Sequence, residues 1–159
     1  MRVVVLGVGN ILLMDEGVGV RVVEKLEAEY DLPEGVAVID AGTSAMEILE
    51  DLENLDLLVI ADAVFAHQEP ATLVKLENDA VPAFFKRNMS PHQVGLSDVL
   101  AALQFNSREP KKTVICGIKP VSMQLGMELT PEVAAQVPAL LDMVIGELRK
   151  AGLRVERKA

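Results

Sequence analysis

The first twenty residues, MRVVVLGVGNILLMDEGVGV, constrain the fold more than any other stretch. Val3, Val4, Val5 and Leu6 form an unbroken apolar run, the pattern of a strand buried on both faces. Gly7 and Gly9 break that run into a tight turn. A helix is expected to begin near Asp15 and Glu16, because acidic side chains suit the positive end of a helix and Asp15 can cap free backbone N–H groups. Val18, Val22, Val23 and Leu26 then face the sheet. The unit is strand–turn–helix, with Glu16 where the chain turns.

Dinucleotide binding is the first function such a unit suggests, and the residues argue against it. That fingerprint wants glycine at its first, third and sixth positions. Gly7 and Gly9 fit, but the sixth position is Leu12. An acidic pair at the helix start would repel a pyrophosphate. A net charge of −9, with basic residues gathered only near Arg154, Arg157 and Lys158, excludes nucleic acid as a partner. No apolar run is long enough to cross a bilayer, so no membrane partner is expected. The single cysteine, Cys116, suits a reducing compartment, and the opening reads as a core strand rather than a signal peptide. A cytoplasmic protein with one domain spanning residues 1–159 is the expectation.

Along the chain, Val36, Val38 and Ile39 make a second strand ending at Asp40. Thr43 or Ser44 is placed to cap the next helix, and Ser44 with Glu47 fits a capping box. Met46, Leu49, Leu52 and Ile48 would form the buried face of that helix. Leu57, Leu58, Val59 and Ile60 form a third strand ending at Asp62. Residues 71–77 read as a fourth strand, reached by a loop too short for a crossover helix and so antiparallel to a neighbour. Residues 81–89 read as irregular and carry Phe84 and Phe85, which serve either as core or as anchors for a partner. A helix follows, starting at Ser90 or Ser97, with Val99, Leu100 and Leu103 inward. Residues 113–118 form the last strand. Thr130-Pro131 caps a final helix running to about Lys150.

Strands alternating with helices predict a three-layer α/β/α sandwich around a mostly parallel sheet of about five strands. Ligands of such sheets bind beyond the carboxyl ends of the strands. Glu16, Asp40 and Asp62 all fall at those ends, and His92 precedes a later helix. Two carboxylates and an imidazole make a usable divalent-metal site, so Glu16, Asp62 and His92 are the candidate ligands. Each also has a plainer role: Glu16 as a helix-start carboxylate, Asp62 as a turn cap, His92 as a surface histidine. His67, beside Glu69 and Pro70, reads as solvated. Cys116 sits inside an apolar strand and there is no G-x-S-x-G elbow, so neither a thiol nor a serine nucleophile is expected.

Four stretches together resemble the hydrogenase maturation proteases, endopeptidases that trim the C-terminus of the large subunit of [NiFe] hydrogenases. Gly7-Val8-Gly9-Asn10 through Asp15-Glu16-Gly17-Val18-Gly19 is similar to the family's G-x-G-N-x-L-x-x-D-[DE]-G-x-G. Asp40-Ala41-Gly42-Thr43 resembles its D-G-G-T, and Ser90-Pro91-His92-Gln93-Val94-Gly95-Leu96 its S-x-H-x-x-G-L. Gly117-Ile118-Lys119-Pro120, then Gly126 and Leu129-Thr130-Pro131, resembles its late G-[IV]-x-P…G-x-x-L-[ST]-P. The resemblance implies an endopeptidase that removes a short C-terminal peptide from a nickel-loaded precursor. It assigns metal contact to Glu16, Asp62 and His92, and substrate selection or catalysis to Asp40. The nickel would come with the precursor, leaving the isolated protein metal-free. Met14 stands where a glycine is common, and Ala41 replaces the first glycine of D-G-G-T, which stiffens the turn presenting Asp40. A nickel-binding chaperone of the same fold, using the same trio without cutting, is the alternative.

Overall fold

The computed structural model describes residues 1–85 and 91–159, and the side chains of residues 85 and 91–94 lie outside the description. In chain order the strands are β1 (Val3–Val8), β2 (Tyr30–Asp31), β3 (Val36–Gly42), β4 (Leu57–Ala63), β5 (Leu73–Glu77), β6 (Thr113–Ile118) and β7 (Glu156–Arg157). The helices are α1 (Val18–Glu29), α2 (Ala80–Phe85), α3 (Pro91–Phe105) and α4 (Pro131–Lys150), with 3-10 segments at Met14–Gly17 and Ala45–Leu52.

Five strands form one sheet in the order β3-β1-β4-β6-β5. The first four run parallel, and β5 pairs antiparallel with β6. Every residue of β1 is buried, as its unbroken apolar run requires of a strand covered on both faces. Alternation then divides the core. Val3 and Val5 join Val22, Val23, Leu26, Leu140 and Val144 beneath α1 and α4. Val4 and Leu6 join Leu52, Leu96, Val99 and Leu103 beneath the second 3-10 segment and α3. The expected three-layer sandwich with one antiparallel strand is therefore the observed fold. Glu147 of α4 also reaches Lys75 of β5 at 3.3 Å, fastening that helix to the sheet edge.

Two glycines set how closely the first unit folds up. Gly9 has φ +137°, and a Cβ there would run into the backbone carbonyl of Glu16. Gly19 lets α1 lie against β4, since a Cβ would collide with the carbonyl of Ala61.

Several local expectations are corrected. Helical structure does begin near Asp15 and Glu16, as the 3-10 segment Met14–Gly17 that runs into α1, but α1 has Gly17 at its cap and no side-chain capping bond, so Asp15 is not the cap. The segment after β3 is a 3-10 helix kinked at Ile48; Ser44 makes no side-chain cap, and the Glu47 N–H donates instead to the Ser44 carbonyl. Met46 is 50% exposed rather than buried, because the kink at Ile48 separates it from the turn in which Leu52 is buried. Part of the supposedly irregular 81–89 stretch is helical, as α2, and Phe84 packs against the core, while residues 86–90 lie outside the described residues. The next helix is described from Pro91 onward, which rules out a start at Ser97, while Ser90 lies outside the described residues. The β2–β7 pair escapes the sequence reading because two-residue strands carry no periodicity, and it makes β7 the last strand.

Candidate active site

The parallel register fixes where the candidate residues stand. Asp40 of β3 is level with Gly7 of β1, which is level with Ala61 of β4, one residue before Asp62. Both aspartates thus lie at the carboxyl edge, as the sequence layout implies. They do not share a face. Leu58, Ile60 and Val64 belong to the core on the α3 side, so alternation puts Asp62 on that side. Val36 and Val38 pack on the α1 side, and Asp40 follows them. With β1 between their strands, the two are separated by two strand spacings, roughly 10 Å. An Asp40–Asp62 pair sharing one proton, as an aspartic dyad must, is excluded by this layout.

The environments of the acids differ as much as their positions. Asp62 is fully buried, and Glu16 is 7% exposed. Asp40 is exposed, and its Oδ1 accepts the Gly42 N–H at 2.9 Å, closing a tight turn after β3. Glu16 sits in the 3-10 segment Met14–Gly17, which packs against the end of β4, the strand that carries Asp62. The core therefore encloses Glu16 and Asp62 at neighbouring elements and leaves Asp40 at the rim.

His92 lies in the first turn of α3, and its side chain falls outside the described residues. Asn54, just before β4, donates its N–H to the Arg108 carbonyl, and Lys111 donates to Leu55. The far end of α3 thus sits by the amino ends of the strands, and its fifteen residues span about 22 Å, the height of the sheet. The first turn of α3 accordingly reaches the carboxyl edge. Among the described residues no three His, Cys, Asp or Glu side chains gather as a metal site. His67 is exposed, in line with the sequence reading.

Asp15 is the residue whose part the sequence reading missed. Fully buried, it accepts from the Val121 N–H (2.9 Å), the Ser122 N–H (3.0 Å), the Thr130 N–H (2.8 Å) and the Thr130 hydroxyl (2.8 Å). Thr130 holds the cap position of α4 but makes no side-chain cap there, because its hydroxyl is spent on Asp15. The backbones join as well: Met14 N–H to Gly126 C=O and Gly126 N–H to Leu12 C=O, both at 2.9 Å. The first and last of the quoted motifs are one hydrogen-bonded structure. Their distance in sequence hides this, and the pairing of a buried acid with a Thr-Pro helix start was the available signal.

Cys116 is fully buried in β6. Burial, with a further contribution from the Glu147 carboxylate, pushes its thiol up to about 12. It stays protonated at neutral pH and out of reach of a substrate. The native protein at pH 8 should resist thiol reagents, with one equivalent reacting only after denaturation; modification of native protein accompanied by inhibition would restore a cysteine mechanism. A cavity of about 460 Å³ lies elsewhere, between α2, α3 and the start of β6, lined by Val81, Pro82, Leu100 and Lys111 among others. It is at the opposite end of the strands from the buried acids.

The fold and the edge carboxylates define a three-layer α/β protein with an acidic site beyond its parallel strands. Comparison then places the chain: it belongs to the hydrogenase maturation protease family, whose profile matches residues 20–147. It is 47% identical over 154 residues to the hydrogenase 2 maturation protease of Escherichia coli K12, covering 96% of this chain and 94% of that one. It is 39% identical to the hydrogenase expression/formation protein HupD of Rhodobacter capsulatus, covering 99% of this chain and 76% of that protein. The solved structure of the E. coli hydrogenase maturating endopeptidase HybD superposes with a TM-score of 0.96 at 46% identity, covering 99% of this chain and 98% of that one. The [NiFe] hydrogenase maturation protease HybD of Thermococcus kodakarensis does so with 0.78 at 26% identity, covering 92% and 99%. Peptidase activity in hydrogenase maturation is thus the function this chain's family carries out.

Proposed function

We propose that this endopeptidase removes a short C-terminal peptide from the precursor of a [NiFe] hydrogenase large subunit, and only after nickel has been inserted there. The observation that carries the reading is the pair of buried carboxylates, Glu16 and Asp62, on adjoining elements at the carboxyl edge that the first turn of α3, with His92, also reaches. Two carboxylates and an imidazole suit a divalent ion, yet they are few. A nickel ion arriving with ligands from the precursor completes a site that the free enzyme lacks. Nickel is here a feature of the substrate, and binding free energy is gained only with the finished precursor.

The cut needs a nucleophile, and Cys116 is excluded by burial. Water is the attacker. Its oxygen adds to the scissile carbonyl while a carboxylate at the site takes the proton, and that proton goes on to the departing amine. Asp40, exposed at the rim and held by its own turn, is placed to choose the chain that enters rather than to take the proton. The reducing compartment that a single buried free thiol suits is the cytoplasm.

The test is mass spectrometry of precursor incubated with the protein, with and without nickel. A shortened C-terminus only in the nickel-loaded sample is expected. Equal cleavage of nickel-free precursor overturns the checkpoint, and no cleavage of either overturns the protease reading.

A further inference from the structure

Eight large apolar side chains are markedly exposed among the described residues, and their distribution is uneven. Leu12, Val121, Met123, Leu125 and Met127 fall on just two segments, the turn after β1 and the loop after β6. Met46 lies after β3, at the same carboxyl edge. Leu125 is 85% exposed. So exposed a side chain gains little from the fold that holds it.

The loop is nonetheless firmly held, by polar contacts. Asp15 accepts from Val121, Ser122 and Thr130, Gly126 pairs with the backbone of Leu12 and Met14, and the Arg21 guanidinium donates to the Met127 carbonyl at 3.1 Å. A fully buried carboxylate is thus spent on presenting a loop whose apolar side chains face water. Residues 120–127 carry no charge, although the chain as a whole is 25% charged with a net −9. Leu12 and Met14 lie on the short stretch that ends in Glu16, so this apolar lip is continuous with the candidate site.

We infer that the lip formed by Leu12, Val121, Met123, Leu125 and Met127 is the docking surface for an uncharged, apolar stretch of the substrate polypeptide flanking the bond to be cut. The inference rests on the protease reading above. An uncharged lip on an acidic protein favours an uncharged apolar segment, because every charged partner residue seated there would lose water without gaining a counter-charge. Methionine side chains are unbranched and polarizable, so they repack around a segment of irregular shape. Exposed apolar patches of this kind mark sites of association.

The experiment compares wild type with Leu125→Asp and with Met123→Asp/Leu125→Asp on nickel-loaded precursor, each variant checked by thermal melting. Phe105→Asp is the control; Phe105 is 89% exposed at the far end of α3, away from this edge. The expected result is a KM raised by about tenfold or more in the double variant, kcat within about twofold, and no change for Phe105→Asp. Since Leu125 is 85% exposed, its single variants should melt with wild type, and the double variant, which also changes the partly buried Met123, only a few degrees lower; Leu125→Ser, a milder change, should give the same pattern at smaller amplitude. An unchanged KM in folded double variant overturns the inference. So does a wild-type dimer dispersed by Leu125→Asp with KM unaltered, which would make the lip a contact between copies. Co-purification with precursor separates the two readings: loss of capture by the double variant supports the lip even if wild type never cuts, whereas equal capture rejects it.

Discussion

Asp62→Asn and His92→Ala are expected to leave nickel-loaded precursor uncut, slowing its processing by roughly three orders of magnitude or more. Asparagine keeps the shape of Asp62 in its fully buried position and removes the oxygen that can take up a proton. The loss therefore falls on the chemistry rather than on packing, and the thermal midpoint shifts by only a few degrees. Glu16→Gln is expected to behave likewise, since its side chain belongs to the 3-10 segment packed against β4. Asp40→Asn differs in kind. Its Oδ1 already serves the Gly42 N–H, and an amide oxygen serves that donor equally well. Cleavage is then expected to persist at a rate within about tenfold of wild type, a barrier change of no more than about 1.4 kcal/mol, with altered choice of precursor. A gel shift from precursor to mature subunit reads all four variants. Full processing by both Asp62→Asn and His92→Ala removes the trio from the mechanism, and abolished processing by Asp40→Asn moves Asp40 into it.

The sequence showed the layers plainly because apolar runs and helical spacing report burial directly. Val3 to Leu6 marked a doubly covered strand, and Val18, Val22, Val23 and Leu26 marked the face of α1. The carboxyl-edge placement of Glu16, Asp40 and Asp62 followed from the parallel order of strands alone. What the order could not show is which side of the sheet each acid occupies. That depends on alternation counted through the registered strands, and it separates Asp62 from Asp40. Capping failed for a related reason. Asp15, Ser44 and Thr130 all have the chemistry of caps, but long-range partners or a 3-10 turn took precedence over the local bond. Local propensity cannot see a competitor more than a hundred residues away.

Asp15→Ala tests that long-range bond, and its expected effect on stability is the largest of any single polar change here. The substitution removes four hydrogen bonds received by one buried carboxylate, leaving the N–H groups of Val121, Ser122 and Thr130 and the Thr130 hydroxyl without their acceptor. Some of these donors regain water, because Val121 is exposed and Ser122 half-buried. Thr130 is buried and cannot do so readily. One stranded buried donor costs about 1–3 kcal/mol, and the loss of charge-assisted bonds adds to it, for a total of about 3 kcal/mol. In a chain of this size that lowers the melting temperature by about 6–12 °C. Asp15→Asn is not a mild version, since its amide nitrogen brings hydrogens into a place where every neighbour donates. Both variants also release the loop that carries Met123 and Leu125, so amide exchange there should accelerate while the core strands stay protected. A melting temperature within about 2 °C of wild type for both variants would show that the clasp contributes little. Faster exchange throughout the sheet would show that it holds the whole fold rather than the loop.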